Sequence, residues 1–242
     1  MPAISIVIPC RNEGANLPGL LDEVAAAMAG RDHEVLVVDD GSSDDTQAVM
    51  GARIAAAGDG RLRCLTHDRS AGQSAAIRTG MLAARSPIVV TMDGDGQNDP
   101  AYLPRLADAL EAAGPGTALV AGQRLKRTDT PLKRLSSRFA NGLRQAILKD
   151  DTRDSGCGLK AVRTEVFRRL PFFDGWHRYL PALVLREGHA IAHLDVVDRA
   201  RRHGRSNYGI VDRGLRGILD LYGVWWLRRR CRRVPTATEL AP

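Results

Sequence analysis

Long hydrophobic runs, clustered cysteines and aromatic residues are all scarce in this 242-residue sequence. No stretch of about 20 apolar residues occurs, so we expect no membrane-spanning helix. The N-terminus lacks a basic stretch followed by an apolar one, so we expect no signal peptide. The four cysteines lie far apart, without metal-ligand spacing, which favours free thiols in the cytoplasm. Aromatic residues make up only 5% of the chain, so the core must be mainly aliphatic.

Lysine is also rare, and the two halves of the chain carry opposite net charge. Only four of the 35 cationic side chains are lysines. Residues 1–120 carry 9 cationic and 16 acidic side chains, whereas residues 121–242 carry 26 and 12. The acidic half suits a metal ion, and the arginine-rich half suits phosphate, nucleic acid or a membrane surface. A solvated basic surface is the alternative explanation.

Short β-branched runs alternate with helical patterns over the first 120 residues. This order predicts a mainly parallel, buried sheet with helices on both faces. We predict strands at residues 4–8, 35–38, 62–65, 88–92 and 118–121, and helices at 17–29, 44–57, 71–84 and 100–112. Beyond residue 121 we predict helices at 132–148, 164–170, 179–187 and 210–230, and a strand at 191–200.

Polar and acidic residues follow each predicted strand, at the sheet edge where ligands bind in such folds. The strongest signal is Asp93-Gly94-Asp95-Gly96-Gln97, after the fourth strand. Carboxylates two residues apart can share a divalent cation, and Asp95 and Gln97 offer the hard oxygen ligands that Mg²⁺ or Mn²⁺ prefers. A carboxylate at the end of the second strand, as in Asp39-Asp40, can bind a ribose or a base edge. Helix or turn capping is the plainer explanation for any single loop.

Three common motifs are missing. The first strand leads into Pro9-Cys10-Arg11-Asn12-Glu13 and not into a Gly-x-Gly-x-x-Gly turn, which disfavours NAD binding. The sequence also has no phosphate-binding Gly-Lys-Ser/Thr loop and no Gly-x-Ser-x-Gly elbow, which argues against an ATPase and a serine hydrolase.

An ordered series of motifs resembles the family-2 glycosyltransferases of GT-A fold. These motifs are Pro9, Asn12-Glu13, Asp39-Asp40-Gly41-Ser42, Gly72-Gln73-Ser74-Ala75-Ala76 and Asp93-Gly94-Asp95-Gly96-Gln97. Three later segments resemble the branch that acts on polyprenyl phosphates, similar to dolichyl-phosphate mannose synthase: Gly122-Gln123-Arg124, residues 154–160 and residues 201–208. The resemblance covers roughly residues 4–230. It implies an α/β, Rossmann-like GT-A fold with a mainly parallel sheet flanked by helices.

The resemblance also implies a reaction, in which a UDP- or GDP-linked sugar is transferred with inversion to a polyprenyl phosphate. The product would serve the modification of envelope glycans or lipids, and Mg²⁺ or Mn²⁺ would be the cofactor. The implied catalytic residues are Asp93, Asp95 and Arg124, and the metal ligands are Asp95 and Gln97. The implied donor-binding residues are Pro9, Arg11, Glu13, Asp40, Asp93, Asp95, Arg124, Arg201, Arg202 and Arg205. Arg134, Ser137 and Arg138 are the implied ligands of the acceptor phosphate.

Two residues of the second half leave alternatives open. Asp154 is a candidate general base, but a loop-ordering role explains it equally well. Asn207 departs from the lysine that the family places there, and Arg205 can supply the missing charge.

The predicted domain organisation is a catalytic domain followed by an amphipathic helix. The catalytic domain comprises residues 1–209, with a nucleotide-sugar and metal half at 1–121 and an acceptor half at 122–209. Residues 210–233 form a helix whose apolar side contains Val211, Leu215, Ile218, Leu219, Tyr222, Trp225 and Trp226, and residues 234–242 form a tail. Aromatic residues beside an arginine cluster suit a lipid headgroup layer, which predicts a peripheral enzyme on the cytoplasmic face of the membrane. Packing on the sheet, or pairing with a separate anchor protein, are the alternatives.

Three other functions compete with this interpretation. The acceptor of a family-2 enzyme can be a saccharide or another lipid. An arginine-rich nucleic-acid binder is a second alternative, but aromatic residues are too few between residues 121 and 171 for single-strand stacking, and we expect no nucleic-acid partner. A nucleotidyltransferase is the third, because it also uses paired acids and Mg²⁺.

Overall fold

A computed structural model describes residues 2–125, 142, 144–199, 210–231 and 238, and for residues 210–216 it describes the backbone alone. The elements are β1 (Ile4–Cys10), α1 (Leu17–Ala27), β2 (His33–Asp39), α2 (Thr46–Ala57), β3 (Leu62–Thr66), α3 (Gln73–Ala83), β4 (Ile88–Thr91), α4 (Tyr102–Ala112), β5 (Thr117–Arg124), β6 (Lys160–Arg163), α5 (Thr164–Phe167), a 3-10 turn (Trp176–Arg178), α6 (Leu180–Arg186), β7 (Ala190–Val196) and α7 (Ile210–Arg229). Residues 144–148 are also helical. In the described part of the chain, no helix combines the length and hydropathy needed to cross a bilayer.

All seven strands form one sheet, in the order β3-β2-β1-β4-β6-β5-β7. The pairs β1·β2, β1·β4, β2·β3 and β5·β7 are parallel, as the sequence predicts. Strand β6 was not predicted, and it runs antiparallel between β4 and β5. Because β6 is antiparallel, the chain enters it at the edge where β4 and β5 end. The segment before β6 therefore returns to that edge.

Apolar helix faces cover the sheet on both sides, because alternate strand residues point to opposite faces. Ile6 and Ile8 of β1 belong to the cluster beneath α1 and α4, whereas Val7 belongs to the cluster beneath α3 and the 3-10 turn. Helix α3 lies very close to β1, since a Cβ at Gly80 would come within 2.5 Å of Val7. This close approach holds α3 against the face of the sheet.

Part of the C-terminal helix α7 packs on the body of the protein. Leu221 and Val224 are buried in the second cluster, and Trp225 packs against that cluster from a half-buried position. Leu221 and Val224 lie outside the apolar side that the sequence predicts, whereas Trp225 belongs to it. Ile218, Leu219, Tyr222 and Trp226 form the exposed apolar face of α7, with exposed fractions of 63%, 72%, 64% and 48%.

The predicted and observed boundaries of helices and strands differ most beyond residue 121. The helix predicted at 164–170 ends at Phe167, and the strand predicted at 191–200 ends at Val196. Most of the helix predicted at 132–148 lies outside the described residues.

Candidate active site

The loops after β1 and β2 are joined by backbone-to-side-chain hydrogen bonds. The Asn12 N–H donates to Ser42 Oγ at 2.8 Å, and the Ser43 N–H donates to Asn12 Oδ1 at 2.8 Å. Asn12 adopts a left-handed conformation with φ of 57°, which asparagine tolerates better than most residues. The Glu13 N–H donates to Thr46 Oγ1 at 3.0 Å. These contacts hold two of the sheet-edge loops in one rigid unit.

Asp40 orders the loop that leads into α3. Its carboxylate is buried and accepts four hydrogen bonds from the protein. The donors are His67 Nδ1 at 2.8 Å, Ser70 Oγ at 2.7 Å, and the N–H groups of Ala71 and Gly72 at 2.8 Å each. Four protein donors leave the carboxylate little capacity for a ligand, so its direct contribution is to shape this side of the site.

Asp40→Asn is expected to lower the free energy of unfolding at neutral pH by about 1–3 kcal/mol. Burial alone would raise the pKa of Asp40, but the hydrogen bonds from Ala71, Ser70 and His67 lower it below its ordinary value. A lowered pKa stabilises the fold at pH values above the unfolded pKa of about 4, and this stabilisation is lost as the pH falls toward the folded pKa.

Urea unfolding between pH 7 and pH 3 measures this effect, and the wild type should lose more stability on acidification than the variant. Asp59→Asn removes an exposed carboxylate that accepts one backbone hydrogen bond, and it is the matched control. Equal pH dependence in wild type and Asp40→Asn would contradict the assignment.

Asp93 lies at the centre of the site, directly after β4. Its carboxylate accepts a 2.7 Å hydrogen bond from Gln73 Nε2, and its N–H donates to Asn98 Oδ1 at 2.9 Å. A Cβ at Gly158 would come within 2.4 Å of the carboxylate, so a larger residue there would have to displace the Asp93 side chain. Burial, followed by the negative charge of Asp95, raises the pKa of Asp93 to about 6.

Asp95 and Gln97 lie one turn further along the same loop, and the Gln97 N–H donates to Asp95 Oδ1 at 3.0 Å. Both side chains are half-buried. Among the described residues, no group of three histidine, cysteine or carboxylate side chains is placed to hold a metal ion alone. The oxygen donors of Asp95 and Gln97 nevertheless suit a hard divalent cation that takes its other ligands from a bound phosphate. The donor set therefore fits Mg²⁺ or Mn²⁺.

Arg124, at the end of β5, is held by two carboxylates. Its Nε and Nη2 donate to the two oxygens of Asp154, the Nη2 bond measuring 2.9 Å, and its Nη1 donates to Asp198 at 3.1 Å. Burial alone would lower the pKa of Arg124, but Asp154 and Asp198 raise it above its ordinary value. This arrangement gives Asp154 a structural partner and supports the loop-ordering explanation.

Lys160 adds a second buried cation beneath Asp93. Its Nζ donates to the Cys157 carbonyl, and burial lowers the pKa of the lysine below its ordinary value. Its charge partly offsets the effect of burial on Asp93.

Of the remaining predicted site residues, some have a described position and others lie outside the described residues. Pro9 is buried in β1, and Arg11 is exposed on the loop that follows. Glu13 accepts a 2.6 Å hydrogen bond from Asn16 at the start of α1. Six predicted phosphate ligands lie outside the described residues: Arg134, Ser137, Arg138, Arg201, Arg202 and Arg205.

Sequence reasoning missed two residues near this site. Asp198 binds Arg124 and accepts from Asn98 Nδ2 at 3.4 Å, and it follows β7 just as Arg124 ends the neighbouring strand β5. The strand predicted at 191–200 contained Asp198, so its position just after β7 was not apparent from the sequence. His177 is bonded to Ser74 at the N-terminus of α3, and no local pattern indicates that contact.

Solved structures confirm the GT-A fold expected from the sequence. The chain is similar to glucosyl-3-phosphoglycerate synthase from Mycobacterium tuberculosis, solved with Mn²⁺, UDP and glucosyl-3-phosphoglycerate. The TM-score is 0.69 at 24% identity, and the match covers 95% of this chain and 80% of that one. At this identity the likeness shows the fold alone.

The chain belongs to glycosyl transferase family 2, whose family model matches residues 5–170. It is 37% identical over 232 residues to the dodecaprenyl-phosphate galacturonate synthase of Rhizobium johnstonii, a match that covers 93% of this chain and 67% of the relative. It is 34% identical over 211 residues to the undecaprenyl-phosphate 4-deoxy-4-formamido-L-arabinose transferase of Aeromonas hydrophila, covering 86% of this chain and 63% of the relative. The predicted family and enzyme class are thereby confirmed.

Proposed function

We propose that this chain transfers a sugar from a nucleoside-diphosphate donor to a polyprenyl phosphate. An oxygen of the acceptor phosphate forms a bond to the anomeric carbon from the face opposite the leaving group. The bond between that carbon and the donor diphosphate breaks, its electron pair leaves with the nucleoside diphosphate, and the configuration inverts. The observation that carries the proposal is the Asp93–Asp95–Gln97 group after β4, in a chain whose relatives are named for this class of acceptor.

The donor side of the site is assigned to β1, β2 and β4. Asp95 and Gln97 would hold a divalent cation, which supplies positive charge to the diphosphate as it leaves. Solved relatives of this fold contain UDP with Mn²⁺ or Mg²⁺, which supports the choice of ion. Asp93, between the metal ligands and α3, would contact the ribose or the sugar.

The state of Asp154 favours a phosphate acceptor over a saccharide. A sugar hydroxyl needs a base to remove its proton, whereas a phosphate is already an anionic nucleophile. Asp154 is the only candidate base that the sequence indicates, and it is engaged in a two-pronged ion pair with Arg124. Arg134, Ser137 and Arg138 would grip the acceptor phosphate, and Arg201, Arg202 and Arg205 would neutralise the diphosphate.

A transfer assay tests the proposal. The protein is incubated with Mg²⁺ or Mn²⁺, a short polyprenyl phosphate and a panel of radiolabelled UDP- and GDP-sugars, and labelled lipid is scored. We expect one donor to give a polyprenyl-phosphate sugar. Transfer only to a saccharide would favour another acceptor, and transfer of the nucleotide would show a nucleotidyltransferase.

The exposed apolar face of α7 is proposed to lie in the membrane surface, where the acceptor's phosphate is found. The Arg229 and Arg230 guanidiniums lie 4.8 Å and 5.9 Å from the rings of Trp225 and Trp226. Cations beside aromatic rings suit the headgroup layer of an anionic leaflet. In this proposal the enzyme is a peripheral protein on the cytoplasmic face of the membrane.

The triple variant Leu219→Ser, Tyr222→Ser, Trp226→Ser is expected to lose most of its binding to anionic liposomes. Each apolar side chain buried in lipid is worth about 1.5–3 kcal/mol, and these three do not contribute to the core. Flotation measures bound protein, with Leu82→Ser, an exposed apolar residue on α3, as the control. Equal flotation of the triple variant and the wild type would place the contact elsewhere or on a separate anchor protein.

A further inference from the structure

His177 is bonded to the N-terminus of the helix that contacts the central carboxylate. Its Nδ1 lies 2.6 Å from Ser74 Oγ, and Ser74 is the neighbour of Gln73, whose amide donates to Asp93. The Trp176 indole N–H donates to the Ser74 carbonyl at 3.1 Å, which fixes the 3-10 turn against α3. His177 is therefore positioned one residue along α3 from the contact to Asp93.

The Ser74 hydroxyl determines which ring nitrogen carries the proton. The Gly175 N–H donates to Ser74 Oγ at 2.9 Å, which uses one of the oxygen's lone pairs. Among the contacts of the described residues, His177 Nδ1 is the acceptor within reach of the Ser74 hydroxyl proton. Nδ1 then accepts, and in the neutral ring the proton resides on Nε2. His177 thus presents an Nε2–H donor that has no partner among the described residues.

The surroundings of His177 keep its ring neutral. Burial, followed by the charges of Lys160 and Arg178, lowers the pKa of His177 to about 3, yet part of the residue remains exposed to solvent. A ring that stays neutral beside two cations is suited to bind an uncharged hydroxyl and not a phosphate.

We infer that His177 Nε2–H donates a hydrogen bond to a hydroxyl of the sugar that is transferred. The inference rests on the proposed function, because it assigns the sugar to the space between Asp93 and the 3-10 turn. Ser74 is the positioning residue, since its hydroxyl holds the ring and selects the tautomer. In this assignment Asp95 and Gln97 would bind the diphosphate, and His177 would contact the sugar instead.

Two substitutions separate this role from a structural one. The amide of asparagine in His177→Asn can replace Nδ1 and keep the Ser74 contact, but it removes the donor at the Nε2 position. The longer glutamine in His177→Gln can place a donor near the Nε2 position while giving up the Ser74 contact. We expect His177→Asn to lower kcat/KM about tenfold or more, with His177→Gln retaining more activity. A structural role predicts the reverse order, together with a lower melting temperature for His177→Gln.

Calorimetry of donor binding tests the role of His177 without depending on sugar transfer. The affinity for UDP or GDP without a sugar should be unchanged in both variants, while His177→Asn should bind the matching nucleotide sugar more weakly than the wild type does. Equal weakening with and without the sugar, or no weakening of either, would overturn the role of His177. Donor binding without any transfer to polyprenyl phosphate by the wild type would instead overturn the proposed function and leave this measurement intact.

Discussion

Asp95→Asn is expected to lower the rate of sugar transfer by a factor of at least about 100, which corresponds to roughly 3 kcal/mol of transition-state stabilisation. The substitution removes a charged oxygen ligand and retains the size of the side chain. The Gln97 N–H can still donate to the remaining amide oxygen, so the loop after β4 should keep its shape. Initial rates with saturating donor and acceptor measure the effect.

Chelation provides the corresponding test without a mutation. Excess EDTA should abolish transfer by the wild type, and Mg²⁺ or Mn²⁺ should restore it. Asp59→Asn, a surface change in the turn before β3, should transfer at the wild-type rate. Near-normal transfer by Asp95→Asn, or full activity in EDTA, would contradict the assigned metal site.

Arg124→Met is expected to lower the free energy of unfolding by about 3–5 kcal/mol, because two carboxylates lose their shared cation in a largely buried place. The side chains of Asp154 and Asp198 are only 7% and 17% exposed, so water replaces the lost hydrogen bonds poorly. Arg124→Lys keeps the positive charge but not the bidentate geometry. Its free energy of unfolding should lie between those of Arg124→Met and the wild type. Urea unfolding at pH 7 measures all three proteins.

The matched control for Arg124 is another two-pronged arginine pair, on the surface. Arg31 donates to both oxygens of Asp108, at 2.6 Å and 2.8 Å, with side chains 38% and 51% exposed. Arg31→Met should lower the free energy of unfolding by less than about 1 kcal/mol. If Arg124→Met unfolds like the wild type but no longer transfers sugar, then Arg124 acts on the diphosphate and not on the fold.

The parallel part of the sheet could be predicted from the sequence because buried parallel strands have a recognisable local sequence pattern. Ile4–Cys10 and Ile88–Thr91 are β-branched runs followed at once by polar loops, and both strands were found. Lys160–Arg163 has only two apolar residues between charged ends. A segment with so few apolar residues shows no hydrophobic periodicity from which a strand could be predicted. Its strand character comes from pairing with β4 and β5, which is a property of the fold and not of the segment.

Some residues of the candidate site could likewise be predicted from the local sequence, and others could not. Asp93, Asp95 and Gln97 lie within five residues directly after a predicted strand, so their spacing and position together indicated a cation site. Asp198 meets Asn98 across 100 residues, and His177 meets Ser74 across 103, so no motif connects them. Asp40 was assigned to the donor from its motif, whereas its four protein partners became visible only when the loop before α3 was in place.

The antiparallel strand β6 has a consequence for how the chain acquires its structure. Strand β4 pairs with β1 on one side, and among the described residues its other side pairs with residues 160–163, so that edge lacks this partner while the intervening chain is synthesised. Open edges of apolar strands recruit other chains, and closing a long loop to cover them slows folding. Insertion of β6 also delivers Gly158 and Lys160 to Asp93. The strand that covers this edge of β4 therefore also completes the surroundings of the central carboxylate.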